Sequence, residues 1–350
     1  MNLLIINFVM DPQSQVLAWQ TKVAFALGLK FEKVFVVTHE KKNLANVPGN
    51  IKIIVFPNIF LRAPMRWGGG KYLLNFWIYY LHLKYRFDKA FIHMNFEWAY
   101  FFSPFFKITG IPLSIWYAHG SVSPRLYKAH KIATRVVSST KEGFRIPSDK
   151  LVLIGQSIDT EIFPLMHLKE ISGVFIYVGR ISPRKNIDKL IEVVDSVVKA
   201  NRIKNCKLMV VGGPLTDDDR KYEAELFSRI TALGLNDHIE FTGPLSQLQI
   251  AEMYKTVFAH MSFSETGSMD KTLMESLSCG CPVLTSNDAV INLLEERYRI
   301  TKEDITGAVD RLCYIHQHQA EIDRFQLRQI VINKHDFSSY IEKLSYNIAR

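Results

Sequence analysis

Arg180 and Lys185 lie five positions apart in "YVGRISPRKN" (Tyr177 to Asn186), across a Ser-Pro turn and just ahead of a helical pattern that starts near Ile187. Two cations at that spacing can converge on one anion, and the helix start behind them adds unpaired N–H groups and partial positive charge. An arginine fork beside a lysine point charge is a natural clamp for a diphosphate. Taken alone, the same run also fits a solvated basic turn. A second stretch, "ETGSMDKTLMESLSCGCPVL" (Glu265 to Leu284), joins a turn at Gly267 and Ser268 to an acid–base pair at Asp270 and Lys271. An apolar helical run follows and breaks at Gly280. It carries one carboxylate, Glu275, flanked by Leu273, Met274 and Leu277, where simple solvation is a poor explanation.

The elements that must hold these residues alternate along the whole chain. Apolar runs such as "LLIINF", "KVFVVTH", "IKIIVFP", "KAFIHMN" and "LSIWYAH" are separated by helical patterns, and a second series starts near Gly173 with "GVFIYVGR", "CKLMVVGG", "HIEFTG" and "CPVLTS". Near-continuous apolar strands separated by helices imply parallel sheets covered on both faces. The reading is α/β: two doubly wound, Rossmann-like domains facing a cleft, spanning 1–165 and 166–336, with a linker near 162–171. The last helix, about 337–350, has no strand partner and is expected to cross back and complete the first domain. Ligands of open α/β sheets bind beyond the carboxyl ends of the strands, where the unusual residues fall.

With 48% hydrophobic and 22% charged residues over 350 positions, the chain has the balance of a folded protein with two cores. Its net charge of +9 favours an anionic partner: nucleic acid, a phosphorylated small molecule or an acidic membrane surface. The four cysteines show no CxxC spacing and no nearby His pair, so no metal site is read. "MNLLIINFVMDP" reads as a first strand rather than a leader, and with no apolar run of about 18 residues a cytoplasmic setting is expected. "FLRAPMRWGGGKYLLNFWIYYLHLKYR" (Phe60 to Arg86) sets Arg62, Arg66 and Lys71 beside Met65, Trp67 and a bulky aromatic helix. It fits either a loop followed by a core helix or a peripheral contact with anionic lipid.

Three ordered motifs together carry a resemblance. "VGR-x-x-x-x-K" at Arg180 and Lys185, "GQSIDTEIF" from Gly155 to Phe163, and the helix with Glu275 followed by "GCPV" resemble the retaining glycosyltransferases of family 4, which have the GT-B fold. The likeness is specific over residues 150–285 and rests on strand order before that. It implies that Gly179, Arg180 and Lys185 hold the diphosphate of a nucleotide-sugar donor, and that Glu275 binds the ribose hydroxyls. A carboxylate accepts two hydrogen bonds from a cis-diol. The family's first glutamate, eight positions before Glu275, is replaced here by Gly267. Its role falls to Asp270, to Glu265, or to the backbone N–H groups of Gly267, Ser268 and Met269 beside Lys271.

In the first domain the resemblance places His119, in "YAHGS", near the donor sugar. Asp11, in "MDPQSQ", stands where the family has a glycine-rich loop near the acceptor. His93 serves either the acceptor or the core, and Gly212 opens a turn that allows close backbone approach to a ligand or is an ordinary tight turn. The implied activity is transfer of a sugar, with retention, from a nucleotide-diphosphate donor to a hydroxyl acceptor on a glycan or lipid-linked carrier, with no cofactor and no metal. The alternatives are an epimerase or phosphorylase on the same plan, or a binding subunit degenerate at the acidic position. Nucleic acid is not expected as a partner, because no aromatic-basic RNA motif is present.

Overall fold

The computed structural model describes residues 1–350 apart from 15–16, 58–68, 167–172 and 265–266, and apart from the side chains of 69–71. The chain forms two compact units, Met1–Ile154 with Ser338–Arg350, and Gly155–Phe337. The first crossing thus falls before Gly155, ahead of the 162–171 stretch.

Unit 1 runs β1 (Asn2–Ile6), β2 (Val9–Met10), α1 (Ala18–Gly28), β3 (Lys33–Thr38), β4 (Glu40–Lys41), β5 (Ile51–Val55), α2 (Gly69–Tyr85) and β6 (Lys89–Ile92). It continues with α3 (Glu97–Phe101), α4 (Ser103–Thr109), β7 (Leu113–Trp116), α5 (Pro124–Ile132), β8 (Arg135–Ser138) and β9 (Leu151–Leu153). Seven parallel strands form one sheet in the order β5-β3-β1-β6-β7-β8-β9. Its central strands are buried along almost their whole length (Leu3 to Ile6, Ala90 to Ile92, Leu113 to Trp116). They therefore read as unbroken apolar runs rather than alternating ones.

Unit 2 runs β10 (Val174–Val178), α6 (Ile187–Lys199), β11 (Lys207–Val211), α7 (Asp217–Ala232), β12 (Ile239–Gly243), α8 (Gln247–Met253) and β13 (His260–Ser262). Then come α9 (Lys271–Ser278), β14 (Val283–Thr285), α10 (Ile305–Gln317) and α11 (Arg324–His335). Its five parallel strands are ordered β12-β11-β10-β13-β14. Helix α6 shows why the pattern is helical: Ile187, Leu190, Ile191, Val194 and Val197 recur at i, i+3, i+4 and i+7, and all are fully buried. Helix α7 is started by a capping box, Thr216 and Asp219.

The segment "GQSID" belongs to unit 2. Ile158 pairs with Asp336 in a parallel bridge, its N–H donating to His335 O (2.8 Å) while Phe337 N–H donates to Ile158 O (2.8 Å). Gly155 has φ +84°, and a Cβ there would stand 2.1 Å from the Lys334 carbonyl oxygen, so no side chain fits. The last helix, α12 (Phe337–Ala349), then packs in unit 1. There Tyr340 lies 5.7 Å from Trp19 and 5.5 Å from Trp116 between ring centroids, Lys30 pairs with Glu342, and Arg135 donates to Asn347 O. All four cysteines are free and buried. Among the described residues no helix is long and apolar enough to cross a membrane.

Candidate functional site

In unit 2 the strand order reverses between β10 and β13, and open α/β sheets bind their ligands at such a switch point, beyond the carboxyl ends of the strands. The two stretches that stood out by residue type are the loops that follow these two strands. Lys185, on a single 3-10 turn after β10, reaches across to the β13 loop: its ammonium is 2.6 Å from Asp270 Oδ2 and 3.2 Å from Ser264 Oγ. Asn186, held at φ +50°, donates from Nδ2 to Phe263 O (2.8 Å) and fastens the same two loops.

Asp270 caps α9 by position but makes no side-chain capping bond to it. Its carboxylate is used on Lys185 instead. Burial opposes its charge, but the Lys185 cation and hydrogen bond, aided by His260 and Thr272, hold its pKa below the usual carboxylate range. Beneath it, His260 Nε2 accepts from Val178 N–H (3.3 Å), which leaves the ring proton on Nδ1, 3.2 Å from the Tyr254 hydroxyl. Tyr254 in turn donates to Thr272 O (3.2 Å), and the Thr272 hydroxyl lies 2.8 Å from Val178 O. Burial pushes His260 down to about 4, so this chain of bonds is neutral at physiological pH. It ties the end of β10 to the head of α9 and thereby sets the spacing of the two loops.

Arg180 has a different partner. Its Nε and Nη2 stand 2.7 and 2.6 Å from Asp219 Oδ2, an oxygen that also accepts the N–H groups of Leu215 and Thr216 (both 3.0 Å). Burial raises the Asp219 pKa, but the two backbone N–H groups, Arg180 and Thr216 outweigh it and bring the group down to about 2. The Asp219 side chain is 4% exposed and that of Arg180 is 42% exposed, so the guanidinium is anchored at one edge and open at the other. Gly212 makes this possible. With φ +133°, a Cβ there would stand 1.9 Å from the Gly179 carbonyl oxygen, so the loops after β10 and β11 meet backbone to backbone.

The two cations therefore answer to separate acids at the heads of separate helices. Asp219 and Ser264 were not singled out from the sequence. The only trace of Asp219 there is the T-x-x-D capping pattern in "GGPLTDDD".

Glu275 sits on α9 with 4% of its surface exposed. Burial raises its pKa to about 7; Lys271 and a hydrogen bond with Gln247 oppose the rise, and Asp270 adds to it. Gly267 takes φ +62° ahead of the helix. Ser268 O accepts from Asn287 Nδ2 (3.0 Å), and Met269 O accepts from Gln156 Nε2 (3.1 Å), while the Met269 side chain joins the core. Lys271 is half-buried. Glu265 lies outside the described residues. Among the described residues no group of three or more His, Cys, Asp or Glu side chains is placed to hold a metal ion.

In unit 1 His119 is exposed after β7, with Nδ1 2.9 Å from Ser121 Oγ and its N–H donating to Gly143 O. Asp11 Oδ1 accepts from Gln13 N–H (2.9 Å) and Asn43 Nδ2 (3.2 Å), which braces its own loop. His93 is 1% exposed against Trp19 and Phe91, and burial pushes it to about 3. It is a core residue. Arg62, Met65, Arg66 and Trp67 lie outside the described residues, as does the Lys71 side chain.

With this geometry in view, residues 160–295 match the family described as "Glycosyl transferases group 1". A D-inositol 3-phosphate glycosyltransferase of Frankia alni is 24% identical over 172 residues, which is 44% of this chain and 42% of that protein. The chain thus spans less than half the length of such relatives. A structure of Anabaena HepE with UDP-glucose superposes with a TM-score of 0.75 at 16% identity, covering 100% of this chain and 99% of that one. Sucrose-phosphate synthase from Thermosynechococcus elongatus gives 0.76 at 12% identity over 98% and 97%. Residues 160–295, within the second unit, are thus similar to the group 1 glycosyl transferases, and the chain has the two-domain, parallel-sheet fold called GT-B.

Proposed function

We propose that this chain is a retaining glycosyltransferase that moves a sugar from a nucleoside-diphosphate sugar, UDP-linked by preference, to a hydroxyl acceptor without a metal or other cofactor. The observation that carries this reading is the pair of strand-end loops at the switch point of unit 2. They bring Lys185, Ser264, Asp270 and the head of α9 together beside a buried Glu275, inside the group 1 segment. Support for the nucleotide comes from HepE, a fold neighbour solved with UDP and with UDP-glucose.

In the reaction the bond between the anomeric carbon and the diphosphate oxygen breaks, and negative charge grows on the departing diphosphate. Arg180 and Lys185 stabilise that charge electrostatically. Asp219 occupies Nε and Nη2 of Arg180, and the guanidinium's remaining N–H groups serve the phosphate. Lys185 gives two donors to Asp270 and Ser264 and the third to the anion. Glu275 accepts the ribose hydroxyls, and the loop from Gly267 to Asp270 positions the sugar. The acceptor's hydroxyl oxygen forms the new bond to the anomeric carbon, and its proton passes to the departing diphosphate. For the relatives, the acceptor class is stated in their name, D-inositol 3-phosphate.

Thermal unfolding with UDP, GDP and ADP tests the donor site first. A ligand at 100 times its Kd adds about 2.7 kcal/mol of stability. UDP is expected to raise Tm, and the Arg180→Ala/Lys185→Ala variant to lose that response and sugar transfer. Its own Tm in the absence of ligand is expected to fall, because the largely buried carboxylates of Asp219 and Asp270 lose their cations, so the response is read on the folded variant well below that Tm. Transfer at near-normal rate by the double variant overturns the proposal, as does indifference of the native chain to all nucleotides.

A further inference from the structure

Helix α2 has two apolar faces. Leu74, Ile78 and Leu81 face the core of unit 1, and buried Asn75 pins that side by donating to Phe101 O (2.9 Å) and accepting from Phe105 N–H (3.0 Å). The opposite face carries Tyr72, Leu73, Phe76, Tyr80 and Leu83, each between 53% and 74% exposed. At 3.6 residues per turn these five fall within an arc of about 100°. An unbroken outward stripe of this kind is unusual on a soluble surface and marks an interaction face.

Charge says what covers it. Between Glu40 and Asp88 the chain has no aspartate or glutamate, yet it has eight Lys or Arg residues, set against a net charge of +9 for the whole chain. Among the described side chains, Lys52 and Lys84 flank the last turn of α2, their ammonium groups 5.0 and 5.5 Å from the Tyr85 ring centroid. Arg86 follows them and is exposed. An apolar stripe with tyrosines at its margin and cations at its end matches the boundary between acyl chains and anionic headgroups.

We propose that the outer face of α2 seats unit 1 on an anionic bilayer surface, its apolar stripe entering the headgroup boundary and Lys52, Lys84 and Arg86 pairing with lipid phosphates. The contact is peripheral and reversible, and it stands independently of the donor chemistry in unit 2.

Vesicle flotation with the full chain tests it, using phosphatidylcholine alone or mixed with phosphatidylglycerol, at low and at high salt. The native chain is expected to float with the anionic vesicles, about tenfold less with neutral ones, and to be released by salt. Phe76→Glu/Leu83→Glu and Lys52→Glu/Lys84→Glu alter exposed positions and are expected to keep the native Tm and the Tm response to UDP. Each is expected to weaken vesicle binding about tenfold or more. Absence of flotation overturns the proposal, as does equal binding to neutral vesicles or native-like binding by the Phe76 variant. Self-association that Phe76→Glu/Leu83→Glu abolishes, without vesicle binding, assigns the face to a second copy and also overturns it. A lost UDP response with intact flotation counts against the donor reading alone.

Discussion

Glu275 shows how a single side chain can be legible in sequence and still be incomplete. A carboxylate amid Leu273, Met274 and Leu277 had to have a partner, and its burial on α9 agrees. Its pKa of about 7 was not readable, because that follows from how many atoms close over it. The folded value lies above the unfolded 4.5, so between these values the native state binds more protons than the unfolded chain. Stability is therefore fully present below about pH 4.5 and is lost as pH rises toward 7, by on the order of 3 kcal/mol. Glu275→Gln is expected to raise Tm above pH 7 by removing that cost. Ribose hydroxyls prefer the carboxylate, so UDP affinity of the native chain is expected to climb from about pH 5.5 to about pH 8. Titration calorimetry across that range, with the Gln variant about ten- to hundredfold weaker and flat in pH, checks both statements. Asp219 is the counter-example. Its tie to Arg180 spans 39 positions, and from sequence it shows only as a helix cap.

Among the elements, strand identity could be read because buried parallel strands are apolar throughout, and the R-x4-K and Glu275 stretches could be placed after strands. What could not be read was which two strands would be neighbours. The contact between the β10 and β13 loops depends on the order β12-β11-β10-β13-β14, and no local pattern encodes that order. The same holds for Gly212, which in the pair Gly212-Gly213 fits an ordinary turn and becomes obligatory only beside Gly179. Gly212→Ala places a methyl group 1.9 Å from a carbonyl oxygen at φ +133°. It is expected to destabilise unit 2 by about 3 kcal/mol and to separate the loops that hold Arg180 and Asp219. Urea unfolding followed by the UDP response of the surviving folded fraction checks this; unchanged stability rules the close approach out.

At the scale of the whole molecule, the return of the last helix to unit 1 is a matter of aromatic packing: Tyr340 is fully buried between Trp19 and Trp116. Its hydroxyl has no hydrogen-bond partner among the described residues, and burial raises its pKa well above the ordinary value. Tyr340→Phe keeps the ring contacts and removes that orphan, so Tm is expected to hold or rise, by about 1 kcal/mol equivalent. Tyr340→Ala is expected to cost about 3–5 kcal/mol. Calorimetric scans of both variants check this, and equal losses show that the hydroxyl has a partner. The absence of a strand beside residues 337–350 was the sequence-level sign of this crossing.

That return also sets an order of events at the ribosome. Unit 2 has all its residues once Phe337 has emerged, whereas unit 1 still lacks Ser338–Arg350 at that point. Trp19 and Trp116 await Tyr340 through the translation of the entire 155–337 insert. Domains are commonly finished from the N-terminus as they are made; here the second has all its residues before the first, and the seven-stranded sheet waits without its last helix while the whole of unit 2 is made.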